Sequence, residues 1–239
     1  MVRAFGLFIA LWALAACGDS APVSALTESA TLDIAPTDFA LVRCSETAES
    51  VPCLVIHAGG KSVLIGAPAG ALASLQRQGI EVPDMVLLPD LMPSSLNGLV
   101  ELRNQTWQAG RLGPLPVIGP VGTREVTAHL NAAFVIPDAE RFAVKPPPGG
   151  FEAALIAGAD APPAEGFDTG DLKVLAVPSP TGTLTFHVEY GGRRLVLGTC
   201  DSSDQPVADL VVSMVCDGAM RSYDWPFETP MTKISTMIE

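Results

Sequence analysis

Apolar and polar positions along this chain fall into short blocks whose period changes, and the change of period sorts them into elements. Residues 39–42 and 52–57 alternate or run apolar in strand fashion, and Ala58-Gly59-Gly60-Lys61 is a tight turn into a third strand at 62–66. The period then lengthens: residues 67–79 read as a helix, with Leu72 and Leu75 on one face and Gly79 as the stop. Val86-Leu87-Leu88 is a short, wholly apolar run of the kind found in strands buried on both faces, and a polar turn, Pro89 onward, follows it. Ser94 or Ser95 is the expected cap of a helix running toward Trp107. A proline-rich stretch over 114–123, a helix over 123–134 and a strand over 140–144 come next. Pro146-Pro147-Pro148-Gly149-Gly150 is the strongest break in the pattern. Beyond it, 151–156, 172–177, 184–190, 194–197 and 210–215 read as strands, residues 158–166 as an exposed loop, and Gly191-Gly192 as a hairpin turn. This order predicts an α/β fold.

Composition narrows the organisation. A chain of 239 residues that is 48% hydrophobic and 17% charged has room for one substantial core, and a single domain over 31–239 is expected, its halves meeting near 145–150. The formal charge is −12, from 14 basic and 26 acidic residues, and the bases are scattered singly. Such a surface repels phosphate backbones and sets nucleic acid aside as a partner.

Residues 1–16 do not belong to the fold. Arg3 precedes an apolar run at 4–13 that is short for a bilayer span, and Leu14-Ala15-Ala16-Cys17 closes it. That tetrapeptide looks like a bacterial lipobox, which makes 1–16 a lipoprotein signal peptide, Cys17 the lipidated N-terminus and 17–30 a tether. The expected location is the bacterial cell envelope, lipid-anchored and facing the periplasm. The remaining cysteines are even in number, as an exported chain with disulfides requires. Cys44 and Cys53 flank a polar loop that a disulfide would close, with a stabilisation of roughly 2–3 kcal/mol in the chain-entropy model. Cys200 and Cys216 each end an apolar strand, and those strands are expected to be neighbours; buried free thiols are the alternative for both pairs. No Cys-x-x-Cys is present, which argues against a thiol-redox role.

The segment from Val86 to Leu99 resembles the metal-binding turn of the metallo-β-lactamase superfamily, in its ribonuclease Z-like branch. There a similar strand is followed by His-x-His-x-Asp-His and a Gly-Leu helix start. Laid over that motif, the first His falls on Asp90, the second on Met92, the Asp on Ser94 and the third His on Ser95. Leu87-Leu88 and Asn97-Gly98-Leu99 keep the frame, and Gly66 stands where the family often carries Asp. The family's bridging Asp falls on Thr199, beside Cys200 and Asp201, and its isolated His falls near Pro178-Ser179-Pro180, where there is no histidine. The resemblance implies a four-layer αββα sandwich, cut short at the C-terminus because few residues follow Asp217. It also implies zinc, but with the ligands absent no cofactor is expected. A zinc site needs three or four His, Cys or carboxylate donors.

Histidines, carboxylates and serines are the other residues that could carry chemistry. His57, His129 and His187 match no ligand position and read as structural or exposed histidines. Asp90, Asp201 and Asp217 each follow a strand and form the one candidate for a rebuilt site, suited to a hard cation. Ser94, Ser95, Ser179 and Ser202 lack both a Gly-x-Ser-x-Gly elbow and a neighbouring histidine, which argues against a Ser-His-Asp hydrolase. Met92 is expected to pack in the core. The expected function is therefore that of a non-catalytic lipoprotein of this fold, binding or scaffolding a protein or small molecule at the vacated rim. The competing expectation is a metal-dependent hydrolase of an ester, lactam or phosphodiester that uses the rebuilt carboxylates.

Overall fold

Three antiparallel strands, β1 (Phe39–Arg43), β2 (Leu54–Ala58) and β3 (Lys61–Ile65), open the domain. Helix α1 (Ala71–Arg77) then carries the chain to β4 (Met85–Leu87), parallel to β3. Helices α2 (Pro93–Leu96) and α3 (Leu99–Gln108) lead to β5 (Leu115–Gly119), and α4 (Thr123–Ala133) and α5 (Val135–Val144) lead to β6 (Ile156–Asp160). The computed structural model describes residues 32–44, 52–161, 166–198, 200, 207–217 and 220–236. Thr31 to Glu239 form one unit; Met1 to Ala30, a second, lie outside the described residues.

A second sheet follows: β7 (Gly166–Asp168), β8 (Lys173–Pro178), β9 (Leu184–Tyr190), β10 (Arg193–Leu197) and β11 (Leu210–Val212), in the order β11-β10-β9-β8-β7. β12 (Met214–Asp217) and β13 (Met220–Tyr223) pair only with each other, and β14 (Met231–Lys233) returns to the first sheet, whose order is β14-β1-β2-β3-β4-β5-β6.

Alternation decides which faces meet. Phe39, Ile56, Ile65 and Leu87 of the first sheet share one fully buried cluster with Phe186, Val188 and Leu195 of the second, so the sheets pack face to face. The opposite face of the first sheet, through Val55, Leu64 and Val86, packs on Leu72 and Leu75 of α1 and Leu99 and Leu102 of α3. Burial on both faces explains why β4 is apolar at every position. Among the described residues no α-helix follows Val144.

Close backbone packing requires glycine at two positions near the end of β3. Gly66 has φ +72°, and a Cβ there would lie 1.7 Å from the Pro52 carbonyl oxygen. At Gly98 a Cβ would lie 2.0 Å from the Pro68 oxygen, because the Gly98 N–H donates to Ala67 at 2.7 Å. Gly66, the position where the resembled family often has Asp, has no room for a side chain in this backbone.

Several elements differ from expectation. Residues 140–144 are not a strand but the end of α5, which is fastened to α3 by an ion pair between Asp138 and Arg103, 35 positions apart. Residues 151–156 are mostly a 3-10 turn, Glu152–Ala154, whose Ala153 and Ala154 pack on the buried Trp107. The helix toward Trp107 is broken at Asn97-Gly98, and neither Ser94 nor Ser95 caps it; Pro93 opens α2 after Met92, and α3 starts at Leu99 without a side-chain cap. The strand at 210–215 is split at Ser213, so that β11 pairs with β10 while β12 leaves with Cys216. Residues 158–160, expected in a loop, belong to β6, and the chain enters the second sheet only at β7, after the Pro146–Gly150 break. Beyond Asp217, where no closing strand was expected, β13 and β14 form.

Candidate functional site

β4 delivers the turn. The Leu88 N–H bonds to Ile118, and the Leu184 N–H bonds to the Pro89 carbonyl at 2.8 Å, which ties the end of β4 to the start of β9 in the other sheet. Asp90 therefore sits where the two sheets meet, only 5% exposed. Its Oδ1 accepts the Met92 N–H at 2.9 Å, a turn that holds the carboxylate in place. Its Oδ2 faces Nε of Arg221, 3.4 Å away on β13.

Arg221 is the residue that the sequence reading missed. Its Nη1 donates to Cys200 Sγ at 2.6 Å and to Cys216 Sγ at 3.1 Å, so a single guanidinium spans the carboxylate and the disulfide that joins those cysteines. Tyr223, two residues further along the same strand, is buried. Burial, and after it the charge of Asp90, pushes its hydroxyl well above the ordinary tyrosine range, so it stays neutral. The Asp90 Oδ2, Arg221 Nε, Tyr223 hydroxyl, Ser94 Oγ and Ser95 Oγ atoms are all buried without a hydrogen-bond partner in the protein. Such atoms are rare in a folded chain, and five on two neighbouring elements mark this turn as polar beyond what packing requires. The Asp-Gly dipeptide at 217–218 was the available signal for a hairpin carrying Arg221.

The other expected residues are placed as follows. Met92 is half-buried at the start of α2 and belongs to no core cluster, contrary to the expectation that it packs in the core. Ser95 is fully buried, and its carbonyl accepts the Ala67 N–H. Cys17, Thr199, Asp201 and Ser202 lie outside the described residues, and Asp217 is in β12. His57 lies between Gln78 and Ser62, at 3.5 and 3.4 Å, and burial pushes its pKa down. His187 is shifted the same way, by burial first and Arg194 next, and His129 is exposed on α4 near Glu125. Ser179 bonds to Thr181 and Thr183 in the turn before β9. Cys44 and Cys53 form the second disulfide.

Zinc does not fit this donor set. Among the described residues no three His, Cys, Asp or Glu side chains are placed to hold a metal. Of the four positions in the turn, one carries a thioether, two carry neutral hydroxyls, and the one carboxylate already faces a guanidinium. A dication about 4 Å from that guanidinium would be repelled by roughly 8 kcal/mol at an effective dielectric constant of about 20.

No protein-family profile and no curated relative matches the sequence. Solved structures do match. The chain is similar to the metallo-β-lactamase fold protein YhfI of Bacillus subtilis, with a TM-score of 0.50 and 14% identity over 73% of this chain and 70% of that one. The chain has the metallo-β-lactamase fold. Other matches are the short form of human tRNase Z, with a TM-score of 0.49 and 15% identity over 68% and 69% of the two chains, and the metallo-β-lactamase SMB-1, with 0.46 and 11% over 74% and 80%. Within this version of the metallo-β-lactamase fold, the strand-end turn presents a paired carboxylate and two hydroxyls.

Proposed function

We propose that this chain is a non-catalytic protein of metallo-β-lactamase fold that uses the rim around Asp90 to bind a small molecule or a protein partner. We further propose that it acts at the bacterial cell envelope, on the periplasmic side, held by lipid on Cys17. The observation that carries the reading is the pairing of Asp90 with Arg221. Metal-assisted hydrolysis in this fold requires a cation that activates water, and the only carboxylate described in the turn is turned toward a fixed positive side chain. The competing reading, a hydrolase rebuilt on Asp90, Asp201 and Asp217, would need Asp90 to exchange its guanidinium for a metal. The buried, unpaired hydroxyls of Ser94, Ser95 and Tyr223 support a polar binding surface rather than a filled core. Among the described residues no helix is long and apolar enough to cross a membrane.

Elemental analysis tests the reading. Mature protein is dialysed against zinc, manganese, magnesium and calcium, then assayed on ester, β-lactam and phosphodiester substrates. The expected result is less than about 0.1 ion per chain and no turnover. A bound ion in stoichiometric amount, together with hydrolysis that Asp90→Ala abolishes, would replace this reading with the hydrolase. Labelled fatty acid incorporated by the wild type and not by Cys17→Ala is the expected result for the anchor.

A further inference from the structure

The two disulfides differ in exposure and in the charge beside their sulfurs. Cys44 and Cys53 are 6% and 4% exposed, and their bridge fastens the ends of β1 and β2. The polar groups near it, Ser74 Oγ and Arg77 Nη2, donate to the Cys44 carbonyl and not to sulfur. At the other bridge Cys216 is exposed, Cys200 is half-buried, and Arg221 Nη1 contacts both sulfurs. A cation at sulfur stabilises a thiolate and brings its pKa below the ordinary value of about 8.5. A leaving thiolate of lowered pKa departs faster.

We propose that Cys200–Cys216 is an exchange-active disulfide, opened by a dithiol reductant, with Arg221 as the residue that stabilises the departing thiolate. One thiolate of the dithiol attacks Sγ of the exposed Cys216. The bond between the two cysteine sulfurs breaks, and the electron pair leaves on Cys200 Sγ, which faces Arg221 at 2.6 Å. The second thiol of the reductant, after losing its proton, attacks its own sulfur in the mixed disulfide and releases the Cys216 thiolate. The reductant ends as a disulfide. The protein gains two electrons, and the two thiol protons pass to solvent or to the new thiolates. This role does not depend on whether the rim binds a ligand.

Opening has a structural consequence at the rim. The bridge ties β12, in the hairpin that carries Arg221 and Tyr223, to the chain three residues past β10. Once it is open, the two thiolates compete with Asp90 for the same guanidinium. The redox state of this pair is thereby coupled to the charge balance at the end of β4.

The test is native-state reduction with dithiothreitol, quenched by alkylation and read by peptide mass mapping. In the wild type Cys200–Cys216 is expected to open at least tenfold faster than Cys44–Cys53. Arg221→Met is expected to slow that opening at least threefold, and Arg221→Lys, which keeps a charge, to fall between the two. Equal rates for the two bridges in the wild type would overturn the proposal. So would an unchanged or faster rate in Arg221→Met, which is what exposure alone predicts. If far-ultraviolet circular dichroism shows Arg221→Met unfolded, the lysine variant serves, and a rate equal to that of the wild type counts against the role of Arg221.

Discussion

Two arginine–aspartate pairs hold this molecule in different ways. Arg103 and Asp138 join α3 to α5, with side chains 0% and 5% exposed. Both carboxylate oxygens are met by the guanidinium, which also donates to Asn104 at 2.7 Å and Asn131 at 3.5 Å and lies over the Phe134 ring at 5.1 Å. Asn131 in turn bonds both ways to the Ile156 backbone at 2.9 Å, at the start of β6. Both oxygens of the carboxylate and all three nitrogens of the guanidinium are hydrogen-bonded. Asp90 and Arg221 are the opposite case. Their facing atoms stand 3.4 Å apart, the arginine side chain is 22% exposed, and the buried hydroxyls of Ser94, Ser95 and Tyr223 have no hydrogen-bond partner. A closed network rigidifies, whereas an open one at a strand end keeps unspent hydrogen-bonding capacity, which is what a binding surface needs.

The largest expected effect tests the closed pair. Asp138→Ala leaves a fully buried guanidinium without its carboxylate and is expected to cost about 3–5 kcal/mol in urea unfolding. A loss below about 1 kcal/mol would mean that the asparagines and Phe134 suffice, and the contrast between the pairs would weaken. Arg221→Met comes next. The Arg221 side chain is 22% exposed, which reduces what the pair contributes, and the expected loss is about 1–2 kcal/mol. A loss equal to that of Asp138→Ala would show the rim pair to be a structural strut as well.

The smallest expected effect separates both pairs from the histidines. Burial lowers the pKa of His57 in the folded chain, so protons prefer the unfolded chain. Stability is therefore full above about pH 6.5 and falls as the pH drops below it, until the folded-state pKa is reached. His187 acts with the same sign. Thermal melts between pH 7.5 and 5 should show a shallow decline, flatter in His57→Gln, and smaller than the effect of either substitution above. A decline that neither His57→Gln nor His187→Gln alters would place its origin in the carboxylates.

Strands with simple alternation were the most legible part of the sequence. The expected strand over 184–190 coincides with β9, and 194–197 misses β10 by one residue, because a sheet with one face in the core writes its period directly into the chain. The strand expected at 140–144 failed for a reason just as physical. Phe142-Ala143-Val144 has the local look of a strand, but Phe142 packs edge-on against Phe151 and the Arg103–Asp138 pair holds the segment helical. The turn at Asp90 was legible because its frame, Leu87-Leu88 and Asn97-Gly98, survives. What faces Asp90 was not. Arg221 lies in a short polar strand far along the chain, and no local pattern says which carboxylate a guanidinium will meet.

By itself the sequence determined the α/β class, the position of the strand-end turn, and which polar residues stand in that turn. These follow from periodicity and from residue types at fixed spacing, both of which act over a few positions. Only the tertiary structure decided that the split at Ser213 would carry β12 and β13 away from β10 and set Arg221 against Asp90. That pair joins residues more than a hundred positions apart. Their energy depends on the geometry in which two charges and a disulfide meet, and spacing along the chain does not encode that geometry.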